Sequence, residues 1–444
     1  MPSKFLIALA VACVLSVPLP AVAESAGPPA LTGAPQRPPL PPRRPDGGGA
    51  LTLPGALQRA LAANPRIRAA DRDIGIAGGR RQQAGAFPNP ELSFELDNAF
   101  GTREYRGLRS AETTLQLSQL IELGGKRDAR VAAGSAEVEA AYWERAAVRL
   151  EILSDTAVAF FGVLAAQRRI VIYDTHIAAL ERLTPLLQRR VDAGASSPAE
   201  IARAQLAADL VRADRERARA SLAIARLELA TLMGASTANY AYVVGDIGRV
   251  GRPPPFQIVL RSIDSNPQLI RFTAIRAQRD AELLLERLKP IPDLRAGVAW
   301  RHFRDTNDNA VRLGVSIPIP VWDQNLGNVA AARESRAKVE AELASSRATL
   351  LLTLGRAHEN LTGAARELEI LRSSALPNAR RAVEEMETGY SQGRFSLLEL
   401  LDVQSSAAQA ALRELEALLT YHTSLATIEG LTGMPLRMAS ERSR

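Results

Sequence analysis

The side chains that could bind a metal ion or act as nucleophiles are few and widely separated in this chain. The sequence has one cysteine, Cys13, and four histidines. None of the histidines has another histidine or a cysteine at the spacing of a metal site. Met386 has glutamates on both sides, but such a run is typical of a solvated helix face. We therefore expect no tight metal site at the histidines, which are His176, His302, His358 and His422.

The glycines and acidic residues match no catalytic motif. Gly78-Gly79 and Gly124-Gly125 lack the spacing of a phosphate-binding loop, and no Gly-x-Ser-x-Gly or His-Glu-x-x-His segment occurs. Glu95 and Asp97 alternate with apolar residues, so we interpret them as facing water and not as a catalytic pair. The sequence predicts a protein that is not an enzyme and has no cofactor.

The composition is that of a folded, largely helical protein. Of the 444 residues 46% are apolar, 23% are charged and only 5% are aromatic. The formal net charge is +7, but the arginines are interleaved with acids and form no basic block with aromatic residues. We expect no nucleic-acid partner.

The N-terminus reads as a secretory signal peptide, residues 1–23. Lys4 precedes the apolar stretch Phe5 to Val17, and Ala21-Val22-Ala23 is a small-residue cleavage site. Cys13 lies inside this signal, so we expect no thiol and no lipid anchor in the exported protein. Residues 24–50 are rich in proline and glycine and read as a linker. Beyond the signal no apolar run reaches 18 residues, so a membrane would be crossed by strands or not at all.

An internal duplication organises the rest of the chain. Asn64-Pro65 recurs as Asn266-Pro267, 202 positions later, and Pro88 and Pro90 recur at the same distance. Towards the end of each half the distance is 199 positions, in the pairs Gly194/Gly393, Glu200/Glu399 and Gly234/Gly433. We therefore predict two repeats, 51–250 and 251–444.

Each repeat carries two segments with period-two alternation, followed by a long helical hairpin. Period two gives one apolar and one polar face, as in a strand. The helical stretches span about 68 residues, or about 100 Å, before a glycine turn and a return helix of about 35 residues. The alternating segments are Leu92–Asp97, Thr114–Leu120, Leu294–Phe303 and Val311–Ile317, and the long stretches are Lys126–Ala193 and Leu326–Gln392.

Four strands cannot close a useful barrel, and their edges and apolar face need partners. Three copies would supply twelve strands, enough to close a barrel around a water-filled lumen. The expected fold is mainly α with transmembrane β: a trimeric α-helical barrel continued by a 12-stranded β-barrel, with four strands from each protomer. The strand residues expected to face lipid are Leu92, Phe94, Leu96, Leu115, Leu117, Leu313, Val315 and Ile317.

Several motifs within residues 51–434 carry a family resemblance. They are Leu53-Pro54-Gly55-Ala56-Leu57, Pro88-Asn89-Pro90-Glu91-Leu92, the segments 120–127 and 317–328, and Gly393 to Asp402. With these motifs the chain resembles the TolC-like outer-membrane efflux proteins. Segments 122–127 and 316–328 are most similar to the heavy-metal branch, the CzcC type.

The resemblance implies a homotrimer in the outer membrane that extends into the periplasm and has no enzymatic activity. Its partners would be outer-membrane lipid, a periplasmic adaptor protein and an inner-membrane pump of the RND type. The cargo it implies is divalent heavy-metal cations, with drugs or other small molecules as the alternative.

The hairpin tips at Gly194 and Gly393 hold the remaining candidates. In the family, acids just beyond the tip glycines line the closed end of the channel, which makes Glu200, Glu399 and Asp402 aperture candidates. For the two glutamates a capping box with the serine three residues earlier is the alternative, whereas Asp402 has no capping role. The candidates for adaptor docking are Gly194, Ala195, Gly393, Arg394 and Phe395, with helix packing as the alternative for Phe395.

Two other classes of protein remain open from the sequence. One is a soluble periplasmic coiled-coil scaffold without a barrel, and the other is an exported α-helical enzyme. The alternating segments argue against the scaffold, because it has no use for outward apolar strand residues.

Overall fold

The computed structural model describes residues 49–434 of the chain. The predicted signal peptide, most of the predicted linker and the last ten residues lie outside this range. The helices are α1 (Leu53–Ala63), α2 (Pro65–Ala84), α3 (Lys126–Asp192), α4 (Pro198–Leu232), α5 (Phe256–Arg261), α6 (Pro267–Leu288), α7 (Leu326–Ile370), α8 (Leu376–Ser391) and α9 (Leu397–Thr432). The strands are β1 (Ala50–Thr52), β2 (Glu91–Asp97), β3 (Glu112–Ile121), β4 (Tyr242–Val244), β5 (Leu294–Phe303) and β6 (Asp308–Ser316).

The two Asn-Pro pairs start α2 and α6 in the same way. The buried side chains of Asn64 and Asn266 each accept a hydrogen bond from the backbone N–H two residues further on, at 2.8 and 2.7 Å. Each also donates to the end of a return helix: Asn64 to the carbonyl of Leu232 at 2.8 Å, and Asn266 to that of Leu431 at 2.7 Å. The asparagine therefore caps one helix and ties it to another.

Proline acts differently on the two long helices. α3 continues through Pro185 as one helix of 67 residues. The single helix expected over 326–392 is instead divided, because a π-helical turn at Leu371–Ala375 separates α7 from α8. Pro377 is the second residue after this turn. Since proline has no N–H and its ring crowds the carbonyl four residues earlier, the local widening of the helix accommodates it.

The four alternating segments form one antiparallel sheet in the order β2-β3-β5-β6. β2 and β3 form one hairpin, β5 and β6 form the other, and the two are joined by ten paired residues between β3 and β5. This leaves β2 and β6 as the two edges of the sheet. A second, small sheet pairs β1 with β4 in parallel. The sequence did not predict it, because three-residue strands show no periodicity.

The main core lies where the helical hairpins pack side by side. α3 packs along α2, α4, α6 and α9, and α9 also packs along α7. The largest fully buried side chains in this core include Ile152, Phe160, Leu229, Leu354 and Ile428. Between residues 49 and 434, no helix combines the length and the apolar character that a membrane span requires.

Candidate functional site

Both helical hairpins turn at a glycine in the left-handed conformation. Gly194 follows α3 with φ +68°, and Gly393 follows α8 with φ +75°. In each turn the next backbone N–H bonds back across the helix end: Ala195 to the carbonyl of Arg190, and Arg394 to that of Gly389, both at 2.8 Å. A Cβ would strain this conformation, so glycine fits both positions. The turn residues Gly194, Ala195, Gly393 and Arg394 are exposed.

Glu399 closes a capping box at the start of α9. Its backbone N–H donates to the Ser396 hydroxyl at 3.3 Å, and its carboxylate accepts from the Ser396 backbone N–H and hydroxyl, both at 2.8 Å. The backbone bond and then the hydroxyl bond hold the pKa of Glu399 below its ordinary value. Asp402 lies three residues further along α9, on the same helix face, and is exposed. Glu399 and Asp402 therefore form an exposed acidic pair.

Glu200 does not form the corresponding capping box. The Ser197 hydroxyl accepts from the Ala199 backbone N–H at 3.3 Å, so Ser197 does cap α4. The Glu200 carboxylate instead accepts from the hydroxyl of Tyr390, at 3.3 Å, in the other hairpin. The capping-box interpretation of Glu200 is therefore wrong, because a tyrosine from the second hairpin is close enough to take its carboxylate.

Arg190 and Tyr390 join the two tips, and neither was a candidate from the sequence. The Arg190 guanidinium lies over the Tyr390 ring, 4.8 Å from its centroid, and its Nη1 donates to the Tyr390 carbonyl at 3.0 Å. Tyr390 is only 1% exposed, and burial, then the charge of Glu200, raises the pKa of its hydroxyl. The side chains of the tip core are Leu183, Leu187, Ala204, Tyr390, Leu397 and Leu400.

Phe395 packs within its own hairpin while keeping part of its surface open. A Cβ built on Gly389 would lie 2.3 Å from the Phe395 ring, so the ring rests directly on this glycine. The residue remains 38% exposed. Met386 is half-buried against the tip core, while its neighbours Glu384 and Glu385 are exposed, as expected for a solvated run of glutamates.

The four-stranded sheet has two faces of opposite character. Side chains that share a face across the register form continuous apolar rows. All seven lipid-facing candidates within the strands lie on this apolar face, and Ile317 follows it one residue past β6. Its residues are exposed or half-buried, with Leu313 81% exposed. The rows are Phe94, Leu115, Trp300 and Val311, and Leu92, Leu117, Val298 and Leu313.

On the opposite, polar face, charged side chains form hydrogen bonds between neighbouring strands. Arg301 donates to Glu112 at 2.8 Å and to the Thr114 hydroxyl at 3.0 Å, and Arg312 donates to the Gln116 side chain at 3.0 Å. Glu95 and Asp97 are also on this face by register. A sheet with one charged face and one exposed apolar face is suited to a position between water and an apolar medium.

The histidines serve the fold individually. His358 and His422 are buried, each with Nε2 2.9 Å from a backbone carbonyl, of Pro254 and of Ile247. His302 stacks on Trp300, and burial lowers the pKa of His176. Within the described part of the chain, no group of three or more His, Cys, Asp or Glu side chains is arranged to hold a metal ion.

Comparison with known proteins gives consistent matches along the chain. A family model for "Outer membrane efflux protein" matches residues 56–235 and 261–434. The chain is 29% identical over 388 residues to the cobalt-zinc-cadmium resistance protein CzcC of Cupriavidus metallidurans, covering 87% of this chain and 91% of CzcC. It is 27% identical over 295 residues to the nickel and cobalt resistance protein CnrC of the same organism, covering 66% and 70%.

The fold is also similar to solved structures. The crystal structure of the Campylobacter jejuni CmeC outer membrane channel superposes with a TM-score of 0.73 at 16% identity, covering 86% of this chain and 85% of CmeC. At this identity the likeness concerns the fold alone.

Proposed function

Because the chain belongs to the outer membrane efflux protein family, we propose that it forms the outer-membrane duct of a tripartite efflux system. Three copies would assemble, with the long helices as a periplasmic tube and the strands as a closed barrel of twelve. A periplasmic adaptor and an inner-membrane pump of the RND type would deliver the cargo. The named relatives are resistance and channel proteins, which supports a conduit and not an enzyme.

The observation that carries this proposal is the isolated four-stranded sheet. Among residues 49–434 of a single copy, its apolar face is exposed and neither edge strand has a partner. Burying that face in lipid and pairing the edges between copies resolves both problems at once. The polar face, with Glu95, Asp97, Arg301 and Arg312, would then line the lumen.

The experiment that tests it is fractionation followed by mass measurement. We expect the protein in the outer membrane, soluble only in detergent and with the mass of three copies. A stable monomer in water, or recovery in the soluble periplasm, would instead favour the coiled-coil scaffold.

For the layout of the chain we infer a cleaved signal at 1–23, a linker at 24–50 and two structural repeats at 51–250 and 251–444. The paired roles of Asn64 and Asn266 support the repeats. N-terminal sequencing of the outer-membrane protein tests the cleavage site, with Glu24 expected as the first residue.

For the cargo we propose divalent heavy-metal cations. The support is the similarity to two relatives named for resistance to cobalt, zinc, cadmium and nickel. Drugs or other small molecules remain the second candidate. Deleting the gene should lower tolerance to these metals more than tolerance to drugs, whereas a defect in drug tolerance alone would overturn the metal assignment.

At the tips we propose that Glu399 and Asp402 line the aperture and that the turn residues receive the adaptor. Both acids are exposed on one face of α9, so three copies would place six carboxylates around the axis if that face is inward. Glu200 is a weaker candidate, because Tyr390 engages its carboxylate. The proposed docking surface consists of Gly194, Ala195, Gly393, Arg394 and the open side of Phe395.

A further inference from the structure

We propose that β6 of one copy pairs with β2 of the neighbouring copy in a single register, in which Ser316 faces Asp97 and Val321 faces Leu92. This inference rests on the proposed function, since it requires copies that assemble side by side. It identifies the segment after β6, Ile317–Val321, as a strand that forms only on assembly.

The internal duplication supplies the register. β2 maps onto β5 with a displacement of 202 residues, as in Pro88/Pro290 and Pro90/Pro292. β3 maps onto β6 with a displacement of 200, because the pair Ser93–Gln116 in the first hairpin corresponds to Arg295–Ser316 in the second.

The start of the long helices gives the same displacement independently. Gly125 precedes α3 with φ +77°, and Asn325 precedes α7 with φ +58°. Both residues are N-caps whose own backbone is in the left-handed conformation, and they are again 200 positions apart. The displacement of 200 positions therefore applies both in the second strand of each hairpin and at the start of the long helix that follows it.

Within one copy, β3 joins the first hairpin to the second through β5. In the assembly, β6 would join the second hairpin to the first hairpin of the next copy, so the two junctions are equivalent. Adding 200 to a residue number in β3 gives the equivalent residue of β6 or of the segment after it, and subtracting 202 from one in β5 gives the equivalent residue of β2. The observed pair Gln116–Ala299 then corresponds to Ser316–Asp97, and the pair Ile121–Leu294 corresponds to Val321–Leu92.

The exposure of Ile317–Val321 agrees with this assignment. Ile317, Ile319 and Val321 alternate with prolines and are 50%, 80% and 60% exposed. The equivalent residues of β3, Leu117–Ile121, all pair with β5. The segment Ile317–Val321 is therefore unpaired in one copy because the strand that should cover it belongs to the next copy.

The two prolines are compatible with pairing at this edge. The backbone N–H of Arg304 donates to the carbonyl of Ala111 at 3.1 Å, directly across the β3–β5 register. Odd-numbered residues of β3 therefore hydrogen-bond to β5, and by the displacement odd-numbered residues after β6 would bond to the neighbour. Pro318 and Pro320 are even-numbered, so the missing N–H groups are not needed at this edge.

The faces of the strands restrict the register further. A shift by one residue would bring Ser93 and Glu95 of the neighbour onto the apolar face. In the proposed register Leu96, Phe94 and Leu92 of the neighbour instead lie opposite Ile317, Ile319 and Val321, respectively. They therefore continue the apolar face from one copy to the next. Shifts by two residues keep the faces matched and are therefore the alternatives to be tested.

Disulfide cross-linking distinguishes these registers. Asp97→Cys with Ser316→Cys places two thiols at a pair without direct hydrogen bonds, where Cα atoms are about 4.5 Å apart. Within one copy the two residues lie on opposite edges of the sheet, about 14 Å apart across the strands and about 27 Å apart along them, because Asp97 is level with Asp308. A disulfide between them can therefore form only between copies. The sequence has a single natural cysteine, Cys13, in the predicted signal peptide.

The matched controls are displaced by two residues in either direction: Glu95→Cys with Ser316→Cys, and Asp97→Cys with Pro318→Cys. On non-reducing gels of the oxidised outer-membrane protein, we expect bands of two and three linked copies from the proposed pair, at several times the yield of either control. Leu96→Cys with Ile317→Cys reports the same register if the first pair prevents assembly.

A detergent-solubilised trimer that links better through a displaced pair, or through none of these pairs, would overturn the register and leave the proposed function standing. A protein that is monomeric by light scattering would overturn both.

Discussion

Arg190 lies over the ring of Tyr390, and through this contact the first hairpin is attached to a residue 200 positions later in the second. The tyrosine is buried in the tip core, and its hydroxyl reaches Glu200. One aromatic side chain therefore joins three helices, α3, α4 and α8, at the end that is proposed to open. The stability of the tip should depend on it.

Replacing Tyr390 with alanine should loosen both tips without unfolding the body of the protein. Removing a buried aromatic side chain costs about 3 to 5 kcal/mol, whereas Tyr390→Phe keeps the ring and loses only a hydroxyl bond worth about 1 kcal/mol. Hydrogen exchange of peptides from residues 183–204 should be much faster in the alanine variant and nearly unchanged in the phenylalanine variant. Tyr142→Ala, at an exposed tyrosine of α3, is the control, and equal exchange in all variants would contradict the role of Tyr390.

Asn64 and Asn266 should contribute similarly to stability, because each caps one helix and holds the end of another. Changing either to alanine removes a helix cap and leaves a part-buried carbonyl without its donor, so each should lower the free energy of unfolding by about 2 kcal/mol. The control is Asn360→Ala at an exposed position of α7. Thermal melting of the detergent-solubilised protein measures the effect. An unchanged melting temperature in either variant would contradict the equivalent structural roles of the two asparagines.

Gly234 and Gly433 occupy equivalent positions with φ +73° and +68° but have different surroundings. A Cβ on Gly234 would lie 2.4 Å from the backbone carbonyl oxygen of Ala63, while a Cβ on Gly433 would meet nothing within 4 Å. Gly433→Ala should therefore cost only the left-handed strain of about 1 to 2 kcal/mol. Gly234→Ala should be clearly worse, because backbone must move. Equal melting temperatures for the two variants would refute the close approach to α1.

The acids of α9 should give the channel a preference for cations. Glu399→Gln together with Asp402→Asn should lower the ratio of cation to anion permeability in planar bilayers, measured from the reversal potential. Glu334→Gln, an exposed acid near the other end of the long helices, is the control. Unchanged selectivity in the double variant would exclude these acids from the aperture.

The capping box also fixes the sign of a pH effect at Glu399. Its pKa is lower in the folded tip than the ordinary 4.5, so the bonds to Ser396 stabilise the tip fully above that value. Their contribution is lost as the pH falls through the lower, folded pKa. Cation preference due to Glu399 should therefore persist at about pH 5, and Ser396→Ala should move its loss to higher pH. The reversal potential as a function of pH tests this; a loss near neutral pH would show that another group titrates.

The long helices and the strands of the large sheet were accessible from the sequence, whereas the small sheet, the π-helical turn and the contacts between hairpins were not. Period-two alternation located the strands of the large sheet, and the motifs within 51–434 correctly indicated the family. The Arg190–Tyr390 contact gave no signal, because it joins residues from different hairpins with no motif of their own. The Glu200 capping box was wrong for the same reason: a local pattern could not foresee a tyrosine from the other hairpin.

Arg394 provides the last test, of adaptor docking. It is exposed in the turn after α8 and is not one of the side chains of the tip core, so Arg394→Glu should reverse a surface charge without loosening the hairpin. We expect this variant to lower efflux-dependent tolerance to the cargo while the trimer and its melting temperature stay unchanged. Phe395→Asp should have a stronger effect, because it also uncovers Gly389. Arg333→Glu, at an exposed position of α7 far from the tip, is the control. If efflux survives both tip variants, the adaptor binds elsewhere.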